Sequence, residues 1–302
     1  MKIFLCGTPL CVSPQVGRTL KTKPIRMNIW RFLDTGASNA FWNMAVDEAI
    51  FTFARERKIL PTLHFYQWEP AAISIGYAQN INEGLNLKEC RRLKIDLVRR
   101  YTGGGAIFHN DELTYSFISR IDAGEDFDSI LASYKQVCNG IIKGLSQLGI
   151  QAKFRGGKST SSLKERIPCF MASSKHDLIV DGEFSSGGRD GKKIVGNAQR
   201  RTKEAFLQQG SLPLSYDFDL INELFPQSDG FRDMATSISE ISGKRISLKE
   251  IKRKILFGFA DNFSVSFRED SLSSEELNLA KRLFKEKYSS PEWMFKEIKG
   301  ER

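Results

Sequence analysis

Apolar residues recur at helical spacing soon after residue 39. In NAFWNMAVDEAIFTFARERK the positions Phe41, Ala45, Ala49 and Phe53 form one stripe, with Ser38 or Asn39 placed to cap it, which predicts a core helix. The period then shortens to two. TLHFYQW and AAISIGY, separated by the turn-forming EPA, predict two strands joined as a hairpin. After a helix near Leu87 to Leu93, IDLVRRY and AIFH predict strands on either side of three glycines, and LTYSFISR predicts another. Ser129 to Leu148 fits a helix despite Gly140 and Gly144. HDLIVDG, KKIVGNAQ and GSLPL read as strands, with the Gly/Ser-rich EFSSGGRDG interposed. Composition shifts after Phe231, where SLKEIKRKILFGFADNF, SVSF and SSEELNLAKRLFKEKY predict a helix, strand, helix unit small enough to lean on a main domain.

Composition narrows the function classes. No run approaches the roughly 18 apolar residues of a spanning helix, so a soluble chain without a membrane role is expected. The net charge of +9 suggests nucleic acid until it is located: Lys2, Arg18, Lys21, Lys23 and Arg26 stand in an acid-free leader and supply five of the nine charges. The rest is only mildly basic, without the clustered stripe that binds phosphate backbones, so no nucleic-acid partner is expected. Residues 1–26 read as a disordered leader or a mis-assigned start, with Met27 opening a cleaner sequence. Five cysteines at irregular spacing argue against a disulfide framework and for a reduced cytoplasm. His64, His109 and His176 are too scattered for a zinc site, so no metal is expected.

Four places carry candidate chemistry. Glycine loses more freedom on folding than any other residue, so Gly103, Gly104 and Gly105 require either unusual backbone angles or a ligand against the main chain. They lie between strands, unlike the glycines of a nucleotide P-loop. Their amides, with Arg100 alongside, would suit a phosphate or carboxylate; a bulge or tight corner is the other reading. Cys169 lies in a region, Gln151 to Gly210, with twelve Lys and Arg against six Asp and Glu. Fixed cations favour a thiolate, whereas burial would leave the thiol inert. Lys193 opens a strand whose alternation puts Lys193, Val195 and Asn197 on one side; it is a solvated charge or, beside a thiol, a group that favours the thiolate or holds a carbonyl oxygen. His109 is a satisfied strand histidine or a base.

Taken together, RRYTGGGAIFHNDELTYSF, CFMASSKHDLIVDG, KKIVGNAQRR and LQQGSL resemble the lipoate and biotin protein ligase superfamily. WRFLDTGASNAFWNMAVDEAI and EELNLAKRLFKEKYSSPEW look like its cysteine-dependent bacterial octanoyltransferase branch. The resemblance implies an α+β fold: a catalytic domain over 27–231 with a mixed sheet flanked by helices, and a small accessory α/β region over 232–302. It implies ping-pong transfer of octanoyl from acyl carrier protein to the lysine of a lipoyl domain of a 2-oxoacid dehydrogenase, or of glycine-cleavage H protein, with no cofactor. By motif position Cys169 is the nucleophile and Lys193 its partner. Arg100, Thr102, Gly103, Gly104, Gly105, Ala106, Ile107 and His109 would line the substrate pocket, with Asp177, Gly196, Asn197 and Ala198 closing it. The alternative is an ATP- and Mg-dependent lipoate ligase, which TGGGA resembles more. A non-enzymatic carrier-binding subunit is a third reading, prompted by the insertion before Lys193 and by Gln209, where relatives commonly have histidine.

Overall fold

The structure is a computed structural model that describes residues 28–82, 84–124, 126–156, 170–171, 174–181 and 191–296. The leader, Cys169 and most of the insertion before Lys193 lie outside the described residues. Strand β1 (Asn28–Ser38) leads into helix α1 (Ala40–Arg55), whose N-cap is Asn39: its side chain accepts from the Trp42 amide at 2.9 Å. The buried face of α1 includes Asn43, Met44, Asp47, Ile50 and Phe51, whereas Phe41 and Phe53 are only partly buried. Ala45 and Ala49 of the expected stripe are buried, and the buried face is wider than that stripe because α1 is covered twice, by the sheet on one side and by helix α8 (Ser274–Leu283) on the other.

The predicted hairpin does not form. Strand β2 (Thr62–Trp68) joins β1 in parallel within an eight-stranded sheet, while β3 (Ala72–Ile75) leaves for a separate three-stranded sheet. There β3 is central, parallel to β4 (Asp96–Arg99) and antiparallel to β5 (Ile107–His109), so the glycines link the two outer strands of a small sheet. Helix α2 (Leu87–Arg92) precedes β4. Strand β6 (Glu112–Arg120) returns to the large sheet beside β2.

Helix α3 (Ile130–Ser146) follows, with Ser129 as its N-cap, and then β7 (Ala152–Phe154), β8 (Leu178–Val180), β9 (Lys192–Arg201) and β10 (Ala205–Pro213). All neighbours from β2 to β7 in the order β2-β6-β10-β9-β8-β7 are antiparallel. Short helices α4 (Phe218–Leu224), α5 (Phe231–Met234) and α6 (Ile238–Ser242) lead to α7 (Leu248–Phe263) and β11 (Val265–Glu269). Strand β11 pairs in parallel with β1 as the edge of the large sheet, so the residues expected as an accessory region share the main sheet and core.

Glycines weaken an isolated helix, but the two of α3 meet the one of α7. A Cβ on Gly258 would stand 2.2 Å from the Gly144 nitrogen and 2.4 Å from the Gly140 oxygen, so the two backbones touch where no side chain fits. Helix α8 continues into a wider turn over Phe284–Tyr288, and α9 (Pro291–Met294) closes the described chain against β4.

Candidate active site

Arg100 follows β4, and its guanidinium is turned back on its own loop. It donates to the carbonyls of Ser74 (2.8 Å), Gly103 (2.6 Å) and Gly105 (2.8 Å). These donors shape the loop that carries the glycines. Neighbouring Arg99 does the same on a larger scale, donating to the carbonyls of Tyr77 (2.9 Å), Gln79 (2.7 Å) and Met294 (2.8 Å), which ties the 76–79 turn to the C-terminal helix α9. Gly104 has φ +92°, a region that side chains oppose. A Cβ on Gly76 would stand 1.9 Å from the Gly104 oxygen, so the glycine run is a point where two main chains meet. Gly103 needs glycine for neither reason.

Beside this loop lies a small cavity, partly open to solvent. Of the residues expected to line it, Arg100, Ile107, His109, Gly196 and Ala198 do so, while Thr102 to Ala106 form the adjoining loop. Further walls come from polar residues on one face of the large sheet: Thr114 on β6 and Gln209 and Ser211 on β10. That face is covered by α1 and the small sheet, and Glu112, Thr114 and Ser116 are all buried.

Two buried carboxyl groups organise these walls. Asp47 accepts from Tyr66 Oη (2.9 Å), Ser116 Oγ (2.6 Å) and Gln209 Nε2 (2.7 Å), with His64 Nδ1 at 2.9 Å. Gln209 Oε1 in turn accepts from Thr102 Oγ1 at 2.7 Å, which joins the glycine loop to helix α1. Glu112 accepts from Ser211 Oγ (2.6 Å) and Thr114 Oγ1, and lies 2.8 Å from His109 Nδ1. Burial pushes the Glu112 carboxyl up, but His109 and the hydrogen bonds from His109, Ser211 and Thr114 outweigh it and hold the group below its ordinary range. His109 Nε2 meets Ser74 Oγ at 2.7 Å and its ring stacks on Trp68 at 4.0 Å, so both ring nitrogens are engaged within the fold. Asp47, Glu112 and Gln209 escaped the hydrophobic pattern because it admits only apolar residues to a core; for Glu112 and Gln209 the available signal was a polar residue at every second position of a strand packed on both faces.

Outside the cavity lining, Lys193 pairs with Asp177 at 3.0 Å, both buried. Its placement departs from simple alternation. Leu178 pairs with Val195 but the next residue, Ile179, pairs with Lys193, a bulge that sends Lys193 and Val195 to opposite faces. Val195 enters the main core; Lys193 comes to the face of Gly196, with its Nζ 5.7 Å from the centre of the Phe170 ring. Asn197 is turned away from the cavity: Tyr115 Oη donates to its Oδ1 at 2.6 Å on the α3 side. A Cβ on Gly196 would meet the Phe170 ring at 2.9 Å, so glycine lets that ring close against the wall.

Cys169 immediately precedes Phe170 in sequence and lies outside the described residues. The described cysteines are unsuited to nucleophilic work. Burial pushes the Cys90 thiol up to about 11 and that of Cys138 up to about 12. Among the described residues no group of His, Cys, Asp or Glu could hold a metal ion, and no helix is long and apolar enough to cross a membrane.

Residues 39–260 match the lipoyl protein ligase A/B catalytic domain. The chain is similar to the octanoyltransferase LipM of Bacillus subtilis, at 34% identity over 88% of this chain and 98% of the relative. With the LipM of Brevibacillus brevis it shares 37% identity over 88% of this chain and 99% of the relative. Its fold is similar to that of lipoate-protein ligase A crystallised with ATP, with a TM-score of 0.74 and 26% identity over 89% of this chain and 99% of that one. A bipartite lipoate protein ligase of Thermoplasma acidophilum, described with its lipoyl domain, shares the fold at a TM-score of 0.70 and 24% identity, covering 91% of this chain and 99% of that chain.

Proposed function

This chain belongs to the lipoyl protein ligase A/B catalytic-domain family and is an octanoyltransferase, and we propose that it carries the acyl group as a thioester on Cys169. The donor is octanoyl-acyl carrier protein. The Cys169 thiolate attacks the donor's thioester carbonyl, the bond to the carrier's sulfur breaks, and that sulfur leaves and takes up a proton. The lysine amine of a lipoyl domain or of glycine-cleavage H protein then attacks the new thioester. An amide forms, the nitrogen loses a proton and the Cys169 sulfur departs. A thioester already holds the free energy that an amide requires, so neither step calls for ATP.

The observation that supports this reading is the buried Lys193–Asp177 pair against Phe170, the residue joined to Cys169 and packed behind the cavity-lining Gly196. An ammonium withdrawn from water acts strongly on a nearby sulfur, favouring its anion, and on a carbonyl oxygen gaining charge. Asp177 holds the ammonium in place. The acyl tail occupies the cavity between Ile107, Ala198 and Gln209.

The test is the intact mass of the protein after incubation with octanoyl-acyl carrier protein. An octanoyl adduct is expected, cleaved by hydroxylamine and lost in Cys169→Ser. Absence of the adduct on active protein rejects the thioester. Modification of the acceptor that depends strictly on ATP and survives Cys169→Ala would instead identify a ligase, and rescue of a lipoate-requiring strain by this gene alone excludes a non-enzymatic subunit.

A further inference from the structure

The cavity wall poses a chemical contradiction. Tyr66, His109, Thr114, Gln209 and Ser211 all line it, yet the wall presents carbon almost throughout. The five polar groups point outward, each to one of two carboxyl groups behind the wall: Tyr66 and Gln209 to Asp47, and His109, Thr114 and Ser211 to Glu112. A carboxylate is an acceptor without hydrogens, so it can draw several donors to itself at once. An apolar residue at each of these positions would also make an apolar wall, but it would not fix the rotamers of five side chains at once.

We propose that Asp47 and Glu112 are specificity-determining residues: by holding these donors away from the cavity they make it accept a plain hydrocarbon tail and reject a tail bearing a hydroxyl. This rests on the cavity being the acyl site. Neither residue touches the reacting atoms; both act through the wall. Glu112→Gln keeps the shape but brings an N–H to a position where only an acceptor served. Ser211 then accepts from that amide, and its own hydrogen turns to the cavity. Asp47→Asn has the same effect on the Tyr66 hydroxyl.

The experiment compares loading of Cys169 by octanoyl and ω-hydroxyoctanoyl thioesters of acyl carrier protein. The intact protein should prefer octanoyl by about 100-fold, the range in which an apolar pocket rejects an added hydroxyl. In Glu112→Gln and in Asp47→Asn that preference should fall to about tenfold or less, with octanoyl loading reduced far less than the ratio. A purely structural role would slow both donors in proportion and leave the ratio intact, which overturns the proposal. Because either variant could fail to fold, the unaltered protein supplies a second test: loading the two donors within about threefold of each other also overturns it. That outcome leaves acyl transfer standing, whereas failure of octanoyl to load Cys169 at all rejects the acyl-site reading and this one with it.

Discussion

Lys193 Nζ stands 3.0 Å from Asp177 Oδ1 with both side chains buried, and a single-residue bulge in β9 is what turns the lysine to that face. A pair of this kind is harmful to break from one side, because the remaining charge stays buried without its partner. Asp177→Asn should therefore cost about 3–5 kcal/mol by urea unfolding and slow Cys169 acylation at least 100-fold. Asp177→Asn combined with Lys193→Met should recover most of the stability and none of the acylation. Equal recovery of both would show that the pair serves folding alone.

The glycine run is unequal in its demands. Gly104 adopts φ +92°, and Gly76 has no room for a Cβ, whereas a Cβ on Gly103 meets nothing within 4 Å. Gly104→Ala should cost about 1–2 kcal/mol from backbone strain. Gly76→Ala should cost about 1–3 kcal/mol from displaced main chain. Gly103→Ala should be neutral or stabilise by up to about 1 kcal/mol through the unfolded state. Denaturation midpoints of the three variants check the order, and a Gly103→Ala variant less stable than Gly104→Ala would contradict it.

Thiol reactivity should separate the cysteines. Burial holds Cys90 and Cys138 protonated, with values near 11 and 12, so neither should react with iodoacetamide in folded protein at neutral pH. Cys169 should be alkylated rapidly, and more slowly in Lys193→Ala. Peptide mass mapping with and without urea reads this directly; native labelling of Cys138 would mean that the α3 side of the sheet opens to solvent.

Glu112 links the cavity wall to acid stability. Its carboxyl lies below the ordinary value of 4.5 in the fold, so the unfolded chain binds its proton first as pH falls. The stabilisation is present above that ordinary value and fades as pH drops through the lower, folded one. Melting temperatures measured downward from pH 6 should show this loss in the parent protein, with a shallower acid limb in Glu112→Gln. Superimposable acid limbs would remove Glu112 from the account.

Local chemistry carried most of the elements. Asn39 does cap a helix, the segment from Ser129 does hold one, the alternation of LTYSFISR is a strand, and helix, strand, helix does follow residue 247. These depend on neighbours within a few positions, where hydrogen-bonding partners and side-chain period are legible in the order of residues. Ile107, His109, Gly196 and Ala198, singled out by resemblance, stand together around one cavity.

Long-range placement was not. Adjacency of TLHFYQW and AISI in sequence implied a hairpin, but two sheets compete for strands and each took one. Alternation assigned Lys193 to the side of Val195, and an inserted residue reversed it. Gly140 and Gly144 weaken α3 when it is considered alone, and only the approach of Gly258 from more than a hundred residues away shows what they permit. The order of residues determined which segments coil and which extend, because those preferences are local. The tertiary structure alone decided that Asp47 and Glu112 lie buried behind a wall of polar side chains, since burial of a charge is tolerable only where donors from distant strands converge on it.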